Sequence, residues 1–161
     1  MGKRFSHTLI RQAIPKKGVI NVRQLTKLAL ARSDIEKAGT RLKVLSLLLH
    51  EEAYSDVVRE AQELVELALK GILFQAGIDP PKQHNIGHFI KEMRHRLPQP
   101  AAQEADRLAA ISEQLGRERN ASFYGDQDCI PAQEYTRHDA EQAMDEANFA
   151  FQLAKEIISL S

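Results

Sequence analysis

The chain has one cysteine, Cys129, so no internal disulfide can hold it together. Cys129 stands among Gly125, Asp126, Asp128 and Pro131, a loop-like setting without the electropositive surroundings that activate a thiol. No apolar run approaches the length of a membrane span, and the basic N-terminus is not followed by the apolar stretch of a secretory signal. Neither sign of charge is in excess: 22 Lys and Arg balance 22 Asp and Glu, which argues against a large non-specific nucleic-acid surface and leaves room for a local basic pocket. Phosphate-cradling glycine loop, dinucleotide fingerprint, nucleophile elbow and His-Glu-x-x-His pair are all missing, so most enzyme classes lose their support. No strand-like alternation, repeat or low-complexity tract appears. A soluble, cytoplasmic, all-α protein without membrane contact is the expectation.

At 161 residues the chain reads as one domain able to bury its own core. Residues 1–20 mix basic positions with Pro15, Gly18 and unperiodic apolar residues and are expected to form a loosely ordered arm or one docked on a partner. Their first six residues match the short myristoylation pattern, which loosely specified positions meet often by chance. Residues 21–161 carry the helical patterns. Asn21 with Gln24 resembles a capping box, and Ser33 with Glu36 gives a second, so the stretch to about Glu51 is one long helix or two broken near Arg32. Tyr54-Ser55-Asp56 opens the strongest helix, with Ser55 as expected N-cap, a wide apolar face from Val57 to Ala76, and Gly77 as C-cap before Asp79-Pro80-Pro81. A shorter helix follows from about Ile86 to Arg96, another from Ala101 to about Arg119, then a loop from Ala121 to Glu134. Thr136 with Asp139 caps a last helix. The architecture expected is an antiparallel up-and-down bundle of four to five helices.

Several constellations invite a chemical reading and fail it. His84 and His88 share a helical spacing, but nothing nearby completes a metal set, so capping or surface roles are expected and no cofactor is implied. Asp126 and Asp128 fall short of a calcium loop. Glu66 and Lys70, four apart in the favourable order, suit an ion pair better than a ligand role. The stretch Leu115 to Asp126 holds more promise. It contains Arg117, Arg119, Asn120 and Tyr124 where the helical pattern is expected to end, and two guanidinium groups can grip a phosphate through several donors at once. The plain alternative is that arginines at a helix end complement the helix dipole.

The run from Tyr54 to Leu73, then His84-Asn85-Ile86, then Arg117 to Asp126 resembles the HEPN (higher eukaryote and prokaryote nucleotide-binding) family, over about residues 34–158. The resemblance implies a four- or five-helix bundle, usually a homodimer in which the motifs of two protomers meet. It further implies nucleotide or RNA as ligand, and a nucleotidyltransferase or antitoxin as partner. Active members are metal-independent ribonucleases with an Arg, four to six residues, then a His. Here Arg119-Asn120 leads to Tyr124 where His would stand, while a second register from Arg117 places Ser122 there and Tyr124 at the tyrosine some members carry two residues later. A tyrosine, with a reference pKa near 10, stays protonated at neutral pH and is a poor proton acceptor. The expectation is therefore binding rather than catalysis, with Arg117, Arg119, Asn120 and Tyr124 as ligand-binding residues. Two alternatives stand beside it: a ribonuclease toxin using Arg119 with Tyr124 or an incoming His84, and a plain dimerisation or interaction bundle whose arginines pair with Glu118, Asp126 or Asp128.

Overall fold

A computed structural model describes residues 21–82, 86–124 and 135–159, with residues 118–124 described as helical backbone. Among the described residues there is no strand. Four long helices, α1 (Val22–His50), α2 (Tyr54–Gln75), α5 (Ala105–Tyr124) and α6 (Arg137–Ser159), make the bundle, and two short ones, α3 (Gly87–Glu92) and α4 (Gln99–Gln103), lie between α2 and α5.

The capping signatures at the two ends of the bundle are realised. Asn21 accepts from the Gln24 amide at 2.9 Å while the Gln24 side chain accepts from the Asn21 amide at 3.0 Å. At the start of α6, the Asp139 carboxylate accepts from the Thr136 amide and hydroxyl, and the Thr136 hydroxyl accepts from the Asp139 amide. The two Thr136 donors hold the Asp139 carboxyl below its ordinary value. The second box at Ser33 does not interrupt α1, which runs unbroken for 29 residues. In the middle of a helix, serine and glutamate three apart have a completed hydrogen-bond ladder to compete with.

Three boundaries differ from the sequence reading. The N-cap of α2 is Ala53, not Ser55, because the chain reverses immediately before it, at Glu52 with φ 59°. The expected helix from Ile86 to Arg96 breaks after Glu92 into a tighter 3-10 turn over Arg94–Arg96, and the expected helix from Ala101 divides into α4 and α5. At the far end of α2, Gly77 takes φ 75°, and the Gly77 and Ile78 amides donate to Phe74 and Leu73, a Schellman closure that needs a left-handed residue at this one position.

α2 is the centre. It packs on α1, α6 and α5, and twelve of its residues are buried. Arg41 pairs with Glu60, and Gly71 lies against the Ala31 carbonyl of α1 and Ile158 of α6, so α1 and α2 run antiparallel. Arg137 covers the Tyr54 ring at 5.8 Å, which brings the starts of α2 and α6 together. α3 packs on α5. No described helix is long and apolar enough to cross a membrane.

Candidate functional site

α5 buries Ala105, Leu108, Ala109, Ile111, Ser112 and Leu115. Glycine sets its contact with α3: a methyl group on Gly87 would stand 2.8 Å from the Ala109 carbonyl oxygen and 3.0 Å from the Ser112 Cβ. Only a residue without Cβ lets α3 begin this close to α5, two turns before Arg117.

The helix does not stop at Arg119. It continues to Tyr124, so Arg117, Arg119, Asn120 and Tyr124 all belong to one helix rather than straddling a helix end and a loop. Gly116 is the one poor helix former between Leu115 and Tyr124, at a cost of about 1 kcal/mol that a packed helix absorbs; Arg and Glu are good helix formers, and their density there marks polarity, not a terminus. Two consequences follow. The last turn of α5 contains no basic residue, and dipole effects fade within one turn, so the helix-end role of these arginines loses its basis. The helical register also divides the four positions between two lines. Position 119 lies seven after buried Ser112 and four after buried Leu115, on the line that faces the bundle. Asn120 and Tyr124 lie seven after exposed Glu113 and Arg117, on the outer line. Arg117 is itself an outer residue: its side chain is 71 % exposed and holds Glu113, a carboxylate one turn back, at 3.3 Å. Such a pair is worth little and yields readily to a competing anion.

A second polar group occupies α2. Lys70 Nζ lies 2.6 Å from Glu66 Oε1, and Gln62 Nε2 donates to Glu66 Oε2 at 3.4 Å. The Glu66 side chain is 7 % exposed, so the pairing expected from the spacing is built into the bundle. Nearby, Asp34 of α1 is buried, and that burial raises its carboxyl pKa against the opposing pull of Lys37 and Lys70. The sequence reading did not single out Asp34, whose burial follows from its place on the same α1 face as Ala31 and Ala38.

Grooves lie elsewhere on the described surface. One, of about 530 Å³, lies beside Arg107, His138, Glu141, Gln142, Asp145 and Glu146, where the carboxylates disfavour a phosphate. The other, of about 270 Å³, lies at the Schellman turn, where Lys27 donates to the Gly77 carbonyl and pairs with Asp79. Among the described residues no group of three His, Cys, Asp or Glu is placed to hold a metal ion. His88 is exposed, 3.1 Å from Glu92. The arm, His84, Asn85, Asp126, Asp128 and Cys129 lie outside the described residues.

The model of one family, the HEPN domain, matches residues 31–158. The chain belongs to the HEPN domain family. Neither the curated proteins nor the solved structures give a match. The HEPN match spans α1 from its third turn, all of α2 and α5, and nearly all of α6, so every long helix of the bundle is part of the family's unit.

Proposed function

We propose that this HEPN domain binds the phosphate of a nucleotide or of RNA at the last two turns of α5, with Arg119 as the principal contact. The observation that carries the reading is the extension of α5 to Tyr124, which takes both arginines out of the last turn and deprives them of the dipole role. Position 119 then stands on the line of α5 that continues through buried Ser112 and Leu115, and a guanidinium presented from the packed side of a helix has less freedom to lose than one presented to open solvent. Restraint lowers the entropy lost on gripping a phosphate bidentately. Arg117, on the outer line and weakly tied to Glu113, adds charge without fixing geometry. Asn120 and Tyr124 follow Arg117 at helical spacing on that outer line, and their chemistry suits a strand lying along the helix: an amide reads a base edge and a phenol ring stacks on a base.

Pairing of two copies at this end of α5, as the family resemblance implies, would double the positive charge of the cleft. Association with a nucleotidyltransferase or antitoxin belongs to the same reading. Cleavage does not, because the residue that stands where the family carries its His is Tyr124 in one register and Ser122 in the other, and both hydroxyls keep their proton at neutral pH.

The test is titration calorimetry with nucleoside triphosphates and short RNAs on wild type and Arg119→Ala. The expected result is measurable binding that falls at least tenfold in the variant, with the RNA recovered intact. Equal binding in the variant would remove the site assignment, and cut RNA would move the protein to the ribonuclease reading.

A further inference from the structure

Residues 1–20 hold five of the 22 Lys and Arg of the chain and no Asp or Glu. Residues 21–161 therefore carry 17 Lys and Arg against 22 Asp and Glu, so the balanced chain divides into a basic arm and an acidic body of equal and opposite formal charge. The arm is also apolar, through Phe5, Leu9, Ile10, Ile14, Val19 and Ile20.

The body presents apolar surface where the arm joins it. Val22 (78 %) and Leu25 (54 %) are exposed in the first turns of α1, and half-buried Leu28 follows at the same spacing of three. Side chains three apart form a ridge along one side of a helix. This ridge leads from the residue after the arm to the groove of about 270 Å³ at the Schellman turn, which Leu28, Phe74 and Ala76 line. Phe74 and Ala76 pack against the core and still leave surface to the groove. At its polar side Lys27 donates to the Gly77 carbonyl at 2.9 Å and meets Asp79 at 3.1 Å. Asp79 is 80 % exposed, so its carboxylate can take a second cation. The HEPN match begins at residue 31, so the arm, the ridge and the α1 side of the groove all precede the family's unit.

We infer that residues 1–20 turn back over the start of α1 and dock on their own body, with Leu9 and Ile10 on the Val22–Leu25–Leu28 ridge and Phe5 in the groove beside Phe74. Pro15-Lys16-Lys17-Gly18 has the composition of a reversal. Three residues separate it from Asn21, about 10 Å of extended chain, and residues 14 to 12 retrace that distance. Ile10 and Leu9 then arrive beside Val22 and Leu25. Phe5 lies four residues further, about 14 Å when extended, against the 9 Å or so that α1 rises from Val22 to Leu28, which suffices to reach the groove. Arg4, next to Phe5, comes to the side of the groove where Asp79 stands. Docking covers exposed apolar surface on both partners and sets the basic arm against the acidic body. A terminal segment orders when it is tied down in this way.

Another occupant accounts for less. An anionic membrane suits the charge of the arm but repels the acidic body to which the arm is joined, and leaves the groove empty. The inference draws neither on α5 nor on the phosphate-binding reading.

The test is paramagnetic broadening in the full chain, with Cys129→Ser and a nitroxide attached through Thr8→Cys. The amide signals of Phe74, Gln75 and Ala76 are expected to fall to half or less of their height with the nitroxide reduced. Those of Val57, about 27 Å away along α2 by helical rise, are expected to stay unchanged. Val22→Lys with Leu25→Lys replaces exposed side chains by good helix formers that repel the arm, and returns the signals of residues 74–76 at unchanged helicity. Phe5→Ser does the same from the side of the arm. A mixture of nitroxide-bearing chains with isotope-enriched chains lacking the nitroxide shows no broadening at residues 74–76, because arm and groove belong to one chain. Full signals at residues 74–76 in the first sample, broadening that survives the two lysines, or broadening in the mixture, where the arm of a second copy would fill the groove, would overturn the inference.

Discussion

The bundle contains two glutamate-to-cation pairs with the same spacing and order, Glu66–Lys70 in α2 and Glu113–Arg117 in α5, and they do different work. In α2 the atoms are 2.6 Å apart, the glutamate is almost fully covered, and Gln62 adds a third partner. In α5 the separation is 3.3 Å and both side chains are more than half exposed. Identical local spacing therefore gives a structural element where the helix is central and a loose, exchangeable contact where it faces water. Burial, which depends on the tertiary position of the helix, decides between them.

Four substitutions press on that contrast. Gly87→Ala should have the largest effect, because the new methyl would lie 2.8 Å from a backbone oxygen that cannot rotate away. A loss of about 2–3 kcal/mol is expected in urea unfolding. Glu66→Gln should follow, at about 1–2 kcal/mol, moderated because Lys70 can turn to solvent; thermal melts would show a drop of roughly 2–8 °C. Asp34→Asn should act in the opposite direction and more weakly. The buried carboxyl has a pKa raised above its ordinary 3.8, so its contribution is fully present below that pH and is lost as pH rises through the folded value. The amide should therefore raise the melting temperature at pH 7 and leave it unchanged below about pH 3.8. Glu113→Gln should stay within about 0.5 kcal/mol of wild type. If Glu66→Gln were as mild as Glu113→Gln in the same melts, the distinction between the two pairs would fail.

Much of this was readable from the residues. The boxes at Asn21 and Thr136, the glycine stop at Gly77 and the Glu66–Lys70 pair are local features whose geometry is set within a turn or two, and each formed. The errors have a common cause. Ser55 was expected as the N-cap because serine caps well, yet the cap position was set by the reversal at Glu52. The end of α5 was placed at Arg119 because polar residues accumulate there, although none of them breaks a helix before Gly125. The candidate site was legible as a set of residue types. Its division into an inner line with Arg119 and an outer line with Arg117, Asn120 and Tyr124 required knowing that the helix continues and which side of it faces α2.

That division can be measured directly. Fluorescence anisotropy of a short labelled RNA should be followed with wild type, Arg119→Ala and Arg117→Ala at one fixed salt concentration, with circular dichroism confirming that each variant is folded. Both changes remove one positive charge, so a purely electrostatic surface would weaken equally in the two. If Arg119, on the inner line, is the principal contact, the loss is at least tenfold for Arg119→Ala and at most about threefold for Arg117→Ala, corresponding to a charge-assisted contact of about 1.5–3 kcal/mol against an exposed one below 1 kcal/mol. Equal losses, or a larger loss for Arg117→Ala, would contradict the account.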